Sequence, residues 1–274
     1  MFHVKMCENV WNVGVLNPGM RTFDVVMKTE YGTSYNSYLV QGTEKTALIE
    51  AVHREYLDYL LENLRDTDGF HGIDCLVMNH NEPDHSGAIA KLLELYPNLK
   101  IYATQSGSIF LKNITNRPDL NVTVVKDGDT LDLGGKTLTF VSAPFLHWPD
   151  SMFTYLREDR ILFTCDFLGA HYCEPQMFDH AIRYRAAYDE AFRGYYDAIF
   201  GPFPSYVRNG LDRFAALDVD HVDGLHHPVG LTRGRTPHAV HLADFLFRGH
   251  LVAHGDVLFN DVVLQVVDHL IDDR

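Results

Sequence analysis

Six consecutive residues, His80-Asn81-Glu82-Pro83-Asp84-His85, place four potential metal ligands in one short stretch. They follow an apolar run of strand length, residues 73–79 (IDCLVMN), and precede an amphipathic pattern, SGAIAKLLELYP, that ends at Pro97. Such a density of imidazole and carboxylate fits where a strand leaves a sheet and a loop opens onto a common point. A loop can fan alternate side chains toward that point, which a helix at this spacing would not do. Ser86 and the small Gly87 then let the next helix start tightly against the site.

The same strand–helix alternation runs through the first half. Residues 22–41 are β-rich and lead into TALIEAV, an amphipathic helix follows over about residues 54–66, and KIYAT and SIFLKNI repeat the pattern. The middle differs: NVTVV, DTLDL, KTLTFVSA, MFTYL and RILFTC are short strands joined by turn signals such as DGD, LGGK and REDR. Residues 179–216 read mainly as helices, interrupted at GPFPS. A βα half, a hairpin-rich stretch and more helix fit α/β architecture with two sheets face to face and helices outside, an αββα sandwich. With no repeat, low-complexity tract or long linker, residues 1–274 read as one domain. Near the end, PHAVHLADFLFRGHLVAHG fits an amphipathic helix, and DVLFNDVVLQVVDHLIDD fits a helix or a strand.

Composition removes several functional classes. A formal net charge of −14 argues against nucleic acid and anionic membrane as partners and would suit a basic one. No apolar run approaches the ~20 residues of a membrane span. The start, MFHVKMCENVWNVG, lacks the layout of a signal peptide. Cys7, Cys75, Cys165 and Cys173 form no C-x-x-C pair, so zinc-ribbon, rubredoxin and thioredoxin motifs are absent. Free thiols in a reducing, cytoplasmic compartment are expected.

Further ligand-type residues follow apolar runs downstream: His147 in LHWPD, Asp166 in FTCDFLG, and His226 with His227 in LHHPVG. One histidine after a strand is usually structural, so these positions carry weight as a set. Four histidines and three carboxylates suit two metals, each with two imidazoles and a terminal carboxylate, sharing a bridging carboxylate. Glu82, Asp84 and Asp166 with a bridging hydroxide would neutralise two divalent ions, which removes most of the cost of burying them. Imidazole and carboxylate without thiolate suit iron or manganese, and zinc also binds such sets.

With these residues placed, the sequence resembles the catalytic domain of flavodiiron proteins, also called A-type flavoproteins, a metallo-β-lactamase-type αββα sandwich. HNEPDHSG carries Glu82 where the hydrolytic metallo-β-lactamase relatives carry histidine. TEYGTSYNSYLV, SAPFLHWPDSMFTYL, LFTCDFLGAH and YYDAIFGPFPSYV extend the resemblance over about residues 1–235, leaving 236–274 as a divergent tail. The resemblance implies two iron ions, one held by His80, Glu82 and His147, the other by Asp84, His85 and His226. Asp166 and an oxo or hydroxo group would bridge them. It implies reduction of dioxygen to water or of nitric oxide to nitrous oxide, and a hard anionic Glu82 would support ferric iron in such cycling.

Two departures stand out. The family closes its ligand set with Ser-His-Gly-Pro, whereas this chain has Leu225-His226-His227-Pro228; His226 is in the matching place and His227 is its rival. The family also continues into a flavodoxin-like domain that binds FMN. Here no phosphate loop and no G-x-G-x-x-G is seen, so no FMN site is expected and electrons would come from a separate donor. An oxygen-sensing di-iron protein that signals to a protein partner is a second reading, a zinc hydrolase a third, and a homodimer is compatible with any of them. Around the metals, Tyr195 and Tyr196 could hydrogen-bond bound oxygen or simply pack. Trp148 could cover the pocket or pack, and Asp150 could orient an imidazole or cap a turn. His238, His241, His250, His254 and His269 are irregularly spaced and read as solvated or structural.

Overall fold

Seven strands pair in chain order into one sheet: β1 (Val4–Cys7), β2 (Val10–Asn12), β3 (Tyr38–Gln41), β4 (Thr46–Ile49), β5 (Cys75–Met78), β6 (Lys100–Ala103) and β7 (Val122–Val124). The computed structural model describes residues 3–175, 178, 181–219 and 221–224; His226, His227 and the tail 236–274 lie outside them. Five strands form a second sheet, again in chain order: β8 (Thr130–Asp132), β9 (Thr137–Ser142), β10 (Met152–Leu156), β11 (Ile161–Cys165) and β12 (His221–Gly224). Two short ladders, Val15–Asn17 with Thr33–Tyr35 and Thr22–Phe23 with Met27–Lys28, hang beside the first sheet in sequence.

Alternate residues of each strand bury against different layers. Cys75 and Val77 of β5 meet Phe140, Met152 and Phe163 between the sheets. Leu76 and Met78 face the helices α1 (Leu57–Asp66), α3 (Ile89–Leu95) and α4 (Gln105–Ile114). Phe153, Tyr155 and Leu162 of the second sheet face α5 (Arg185–Ile199) and α6 (Pro204–Ala215). The result is helices, sheet, sheet, helices. Burial on both faces explains why Met152–Leu156 and Ile161–Cys165 are buried throughout and apolar but for one threonine each, instead of alternating.

Two local expectations change. The HNEPDH segment is only half a loop: Pro83–Ser86 forms a single helical turn, α2, with proline at its first position. The Glu82 carbonyl accepts the N–H groups of His85 and Ser86, so Asp84 and His85 project from a turn. Gly87 follows because a Cβ there would lie 2.5 Å from the Pro83 carbonyl oxygen and 2.7 Å from the Arg54 nitrogen. NVTVV, grouped above with the hairpin strands, instead closes the first sheet: β7 pairs in parallel with β6. Helix α4 supplies the long crossover that parallel pairing requires.

The parallel strands β4 and β5 end side by side, and β11 ends across the interface from them. Asn79 ties that edge together. Its amide N–H₂ donates to the Phe163 carbonyl at 3.2 Å, its side-chain oxygen accepts from Thr154 Oγ1 at 2.6 Å, and its backbone carbonyl accepts from Met152 N at 3.0 Å. The loops beyond β4, β5, β9 and β11 therefore converge. All four cysteines are free thiols. Among the described residues no helix is long and apolar enough to cross a membrane.

Candidate metal centre

His80 and Glu82 leave the end of β5, His147 lies between β9 and β10, and Asp166 directly follows β11. These four residues offer donor atoms that all lie within 4.8 Å of one another. Asp84 and His85, from α2, form a second group of the same tightness with Asp166. Asp166 is common to both, one oxygen toward each. Its Oδ2 is 3.2 Å from His147 Nε2 and 3.4 Å from His80 Nε2, while Oδ1 is 3.1 Å from His85 Nε2. Glu82 Oε2 lies 3.3 Å from His80 Nε2 and 3.2 Å from His147 Nε2.

The ring faces behind this cluster are held by further carboxylates. His80 Nδ1 is 3.3 Å from Asp150 Oδ1, and Asp150 also accepts from the Asn81 side chain at 2.8 Å. Asp150 thus orients an imidazole, one of the two roles open to it in the sequence. His85 Nδ1 is 2.7 Å from Glu50 Oε2. The other oxygen of Glu50 accepts the N–H of Asn79 at 2.5 Å. With Nδ1 held from behind, each Nε2 is aimed at the shared carboxylate, the arrangement that fixes metal-binding histidines. The donor set fits two cations with one bridging group.

Electrostatics agree. Burial pulls the imidazole of His80 down, but Asp150 and Glu82 outweigh it and hold its pKa up to about 10. His147 is likewise lowered by burial and raised further by Asp166 and Glu82, to about 9. The carboxyl of Asp166 lies well below its ordinary range: burial opposes this, and the His85 and His147 rings overcome it. A pocket that retains protons on buried imidazoles this firmly is a strong attractor of positive charge.

The two tyrosines separate. Tyr195 is buried and within hydrogen-bond reach of Asp166; burial pushes its phenol well up, with the charges of Asp166, Glu82 and Asp84 adding to that. It stays a neutral donor. Tyr196 packs on Phe200 with ring centroids 6.2 Å apart, and beyond burial only Asp197 acts on its phenol. Of the two roles open to it in the sequence, packing is the one these contacts support; successive helix residues point about 100° apart, so it faces another direction than Tyr195. The Trp148 ring meets His80 edge-on at 5.1 Å and covers the pocket beside Phe110.

Three participants escaped the sequence reading. Glu50 directly follows β4, and an acid just past a buried strand, beside the strand that leads to His80, was the available signal. His171, in LGAH after Asp166, places Nδ1 3.0 Å from Thr33 Oγ1 and its ring 4.8 Å from Tyr195. Asp24, in the turn between Thr22–Phe23 and Met27–Lys28, hydrogen-bonds Glu82; burial, then Glu82 and Asp84, push its carboxyl up to about 7. Nothing in the local sequence marks Asp24.

Comparison with known proteins places this geometry. A family model described as ODP family beta lactamase matches residues 33–220. The flavo-diiron protein FprA2 of Clostridium acetobutylicum is 55% identical over 231 residues, 84% of this chain and 57% of that protein. The anaerobic nitric oxide reductase flavorubredoxin of Vibrio vulnificus is 42% identical over 184 residues, 65% of this chain and 37% of its own length. The solved structure of rubredoxin oxygen:oxidoreductase from Desulfovibrio gigas superposes with a TM-score of 0.79 at 27% identity, over 98% of this chain and 61% of that one. The chain thus spans little more than half, or less, of the relatives it matches. Fold and family match together show that the chain belongs to the ODP family of the metallo-β-lactamase fold, the fold of the di-iron domain of flavodiiron proteins.

Proposed function

We propose that the chain is a di-iron domain that reduces dioxygen or nitric oxide with electrons from a separate flavin-type donor. The observation that carries this is Asp166, whose two oxygens face two different donor clusters. In this reading His80, Glu82 and His147 would hold one iron and Asp84, His85 and His226 the other, with Asp166 and an oxo or hydroxo group shared between them; His226 lies outside the described residues. Glu82, a hard anion, favours iron over zinc. Iron bound there would supply the redox chemistry that passes electrons to the gas.

The chain's own side chains do the rest. Glu50 and Asp150 hold two imidazoles in the orientation and tautomer that direct Nε2 inward. Trp148 and Phe110 shield the His80 side from water. Tyr195, kept protonated, offers a hydrogen bond in the pocket next to the bridging carboxylate. The names of the relatives support both gases, since one is a nitric oxide reductase and another an oxygen oxidoreductase. The acidic surface suits a donor with a basic docking face in a reducing, cytoplasmic compartment.

Anaerobic metal analysis followed by gas uptake tests the reading. Protein produced with iron should hold about two irons per chain and, once chemically reduced, consume dioxygen or nitric oxide. Glu82→Ala should deplete one iron far more than the other. A single tightly held zinc in the native protein, or equal loss of both irons in the variant, contradicts it.

A further inference from the structure

Behind the metal pocket, between residues 27–31 and α5, lies a cavity of about 220 Å³. Its inner wall is Tyr195 and His171, its outer rim includes the exposed Glu30 and Glu190, and Thr29 and Gly194 line it between them. Tyr31 donates to Glu190 at 3.0 Å across the rim.

Two features distinguish this space. Thr29 is 1% exposed, yet its hydroxyl has no hydrogen-bond partner among the described residues. A buried hydroxyl without a partner is costly, and water in an adjoining cavity removes that cost. Gly194 sits near the middle of α5, where glycine weakens a helix relative to alanine. No close neighbour demands it, because a Cβ there would meet nothing within 4 Å. Gly194 lines the cavity, so a larger side chain at that position would extend over its mouth.

We propose that this cavity is a water-filled inlet that brings protons to the metal pocket. The inference rests on the gas-reduction reading above. Each electron passed to dioxygen is matched by one proton from solvent, and the product is water; nitric oxide likewise takes one proton per electron to give nitrous oxide and water. The electrons come from the flavin-type donor, and the protons need a route of their own. The wall is largely apolar, but the Glu30 and Glu190 carboxylates and Lys28 at the rim and the Thr29 hydroxyl within give water fixed points of attachment. A cavity water can donate to the Tyr195 hydroxyl while that hydroxyl donates to Asp166, so the hydrogen-bond chain is continuous up to the bridging carboxylate. No wall residue has to change its charge.

Thr29→Val separates a wet cavity from a dry one without any metal. If water bonds the hydroxyl, the metal-free variant should lose about 2–4 °C in Tm, and a crystal structure of the native chain should show water on Thr29 Oγ1. A rise in Tm with a dry cavity overturns the proposal. Gly194→Leu should then overhang the opening. Iron content should stay native, while oxygen consumption by the reduced protein slows about tenfold and its solvent deuterium effect grows. Ala191→Leu, on the same wall, serves if the first variant holds iron poorly. Unchanged rate and isotope effect in an iron-replete variant also overturn the inlet. A native protein that consumes neither gas would instead sink the functional reading, and the Thr29→Val result would still decide whether the cavity is wet.

Discussion

Glu50 grips three groups at once: the Nδ1 side of His85 and the backbone N–H groups of Asn79 and His80. Burial pushes its carboxyl up, and the His85 ring offsets this only in part. Glu50→Gln keeps an acceptor for Asn79 but removes the charge behind His85. It should weaken metal binding at the Asp84–His85–Asp166 cluster by about 10–100-fold and spare the His80 cluster. Metal retained per chain after dialysis against a graded chelator checks this, and equal release from both clusters contradicts it. The residues that were legible beforehand are those whose ligand chemistry is written locally: His80, Glu82, Asp84 and His85 in one motif, and His147 and Asp166 after apolar runs. Glu50, His171 and Asp24 were not. Each acts on a residue distant in the chain, and their flanking residues follow ordinary strand and turn patterns.

At the scale of elements, the strand ends that present the donors depend on one buried amide. Asn79→Leu would fit the apolar surroundings but strip partners from Thr154 Oγ1 and the Phe163 carbonyl. The expected cost is about 2–4 kcal/mol, read as a fall in Tm of roughly 5–10 °C. A Tm unchanged within a degree or two would mean that the sheets need no such tie. The two-sheet architecture was readable because apolar runs, turn signals and helix periodicity agreed over most of the chain. The break at GPFPS lies between α5 and α6 as expected. The HNEPDH turn was misread because a proline that can open a helix also fits a loop, and β7 because pairing partners depend on the crossover, not on the strand's own residues.

For the molecule as a whole, metal and proton compete for the same nitrogens. In the metal-free protein His80 and His147 titrate near 10 and 9, above the imidazole's ordinary value, and His85 is also raised well above it. A raised folded-state value means that these contacts stabilise the fold fully below about pH 6.5 and lose their effect as pH climbs through 9 to 10. Metal-free protein should therefore have a lower Tm at pH 10 than at pH 7. Loading at neutral pH should release about two to three protons per chain, with apparent affinity rising up to about pH 9–10. Calorimetry in buffers of different ionisation enthalpy counts those protons. Release of none would mean that the imidazoles are already neutral and the carboxylates do not govern them.

Asp166 has a consequence in time as well as in space. During synthesis the HNEPDH segment leaves the ribosome well before Asp166 and the second sheet that carries it. On the proposed assignment, an ion that meets the nascent segment would find terminal ligands but no bridge, and could exchange. If Asp166 bridges as proposed, capture would become durable only when the second sheet docks and its carboxylate faces both clusters. The choice of metal would then fall to the finished fold, not to the ion first encountered.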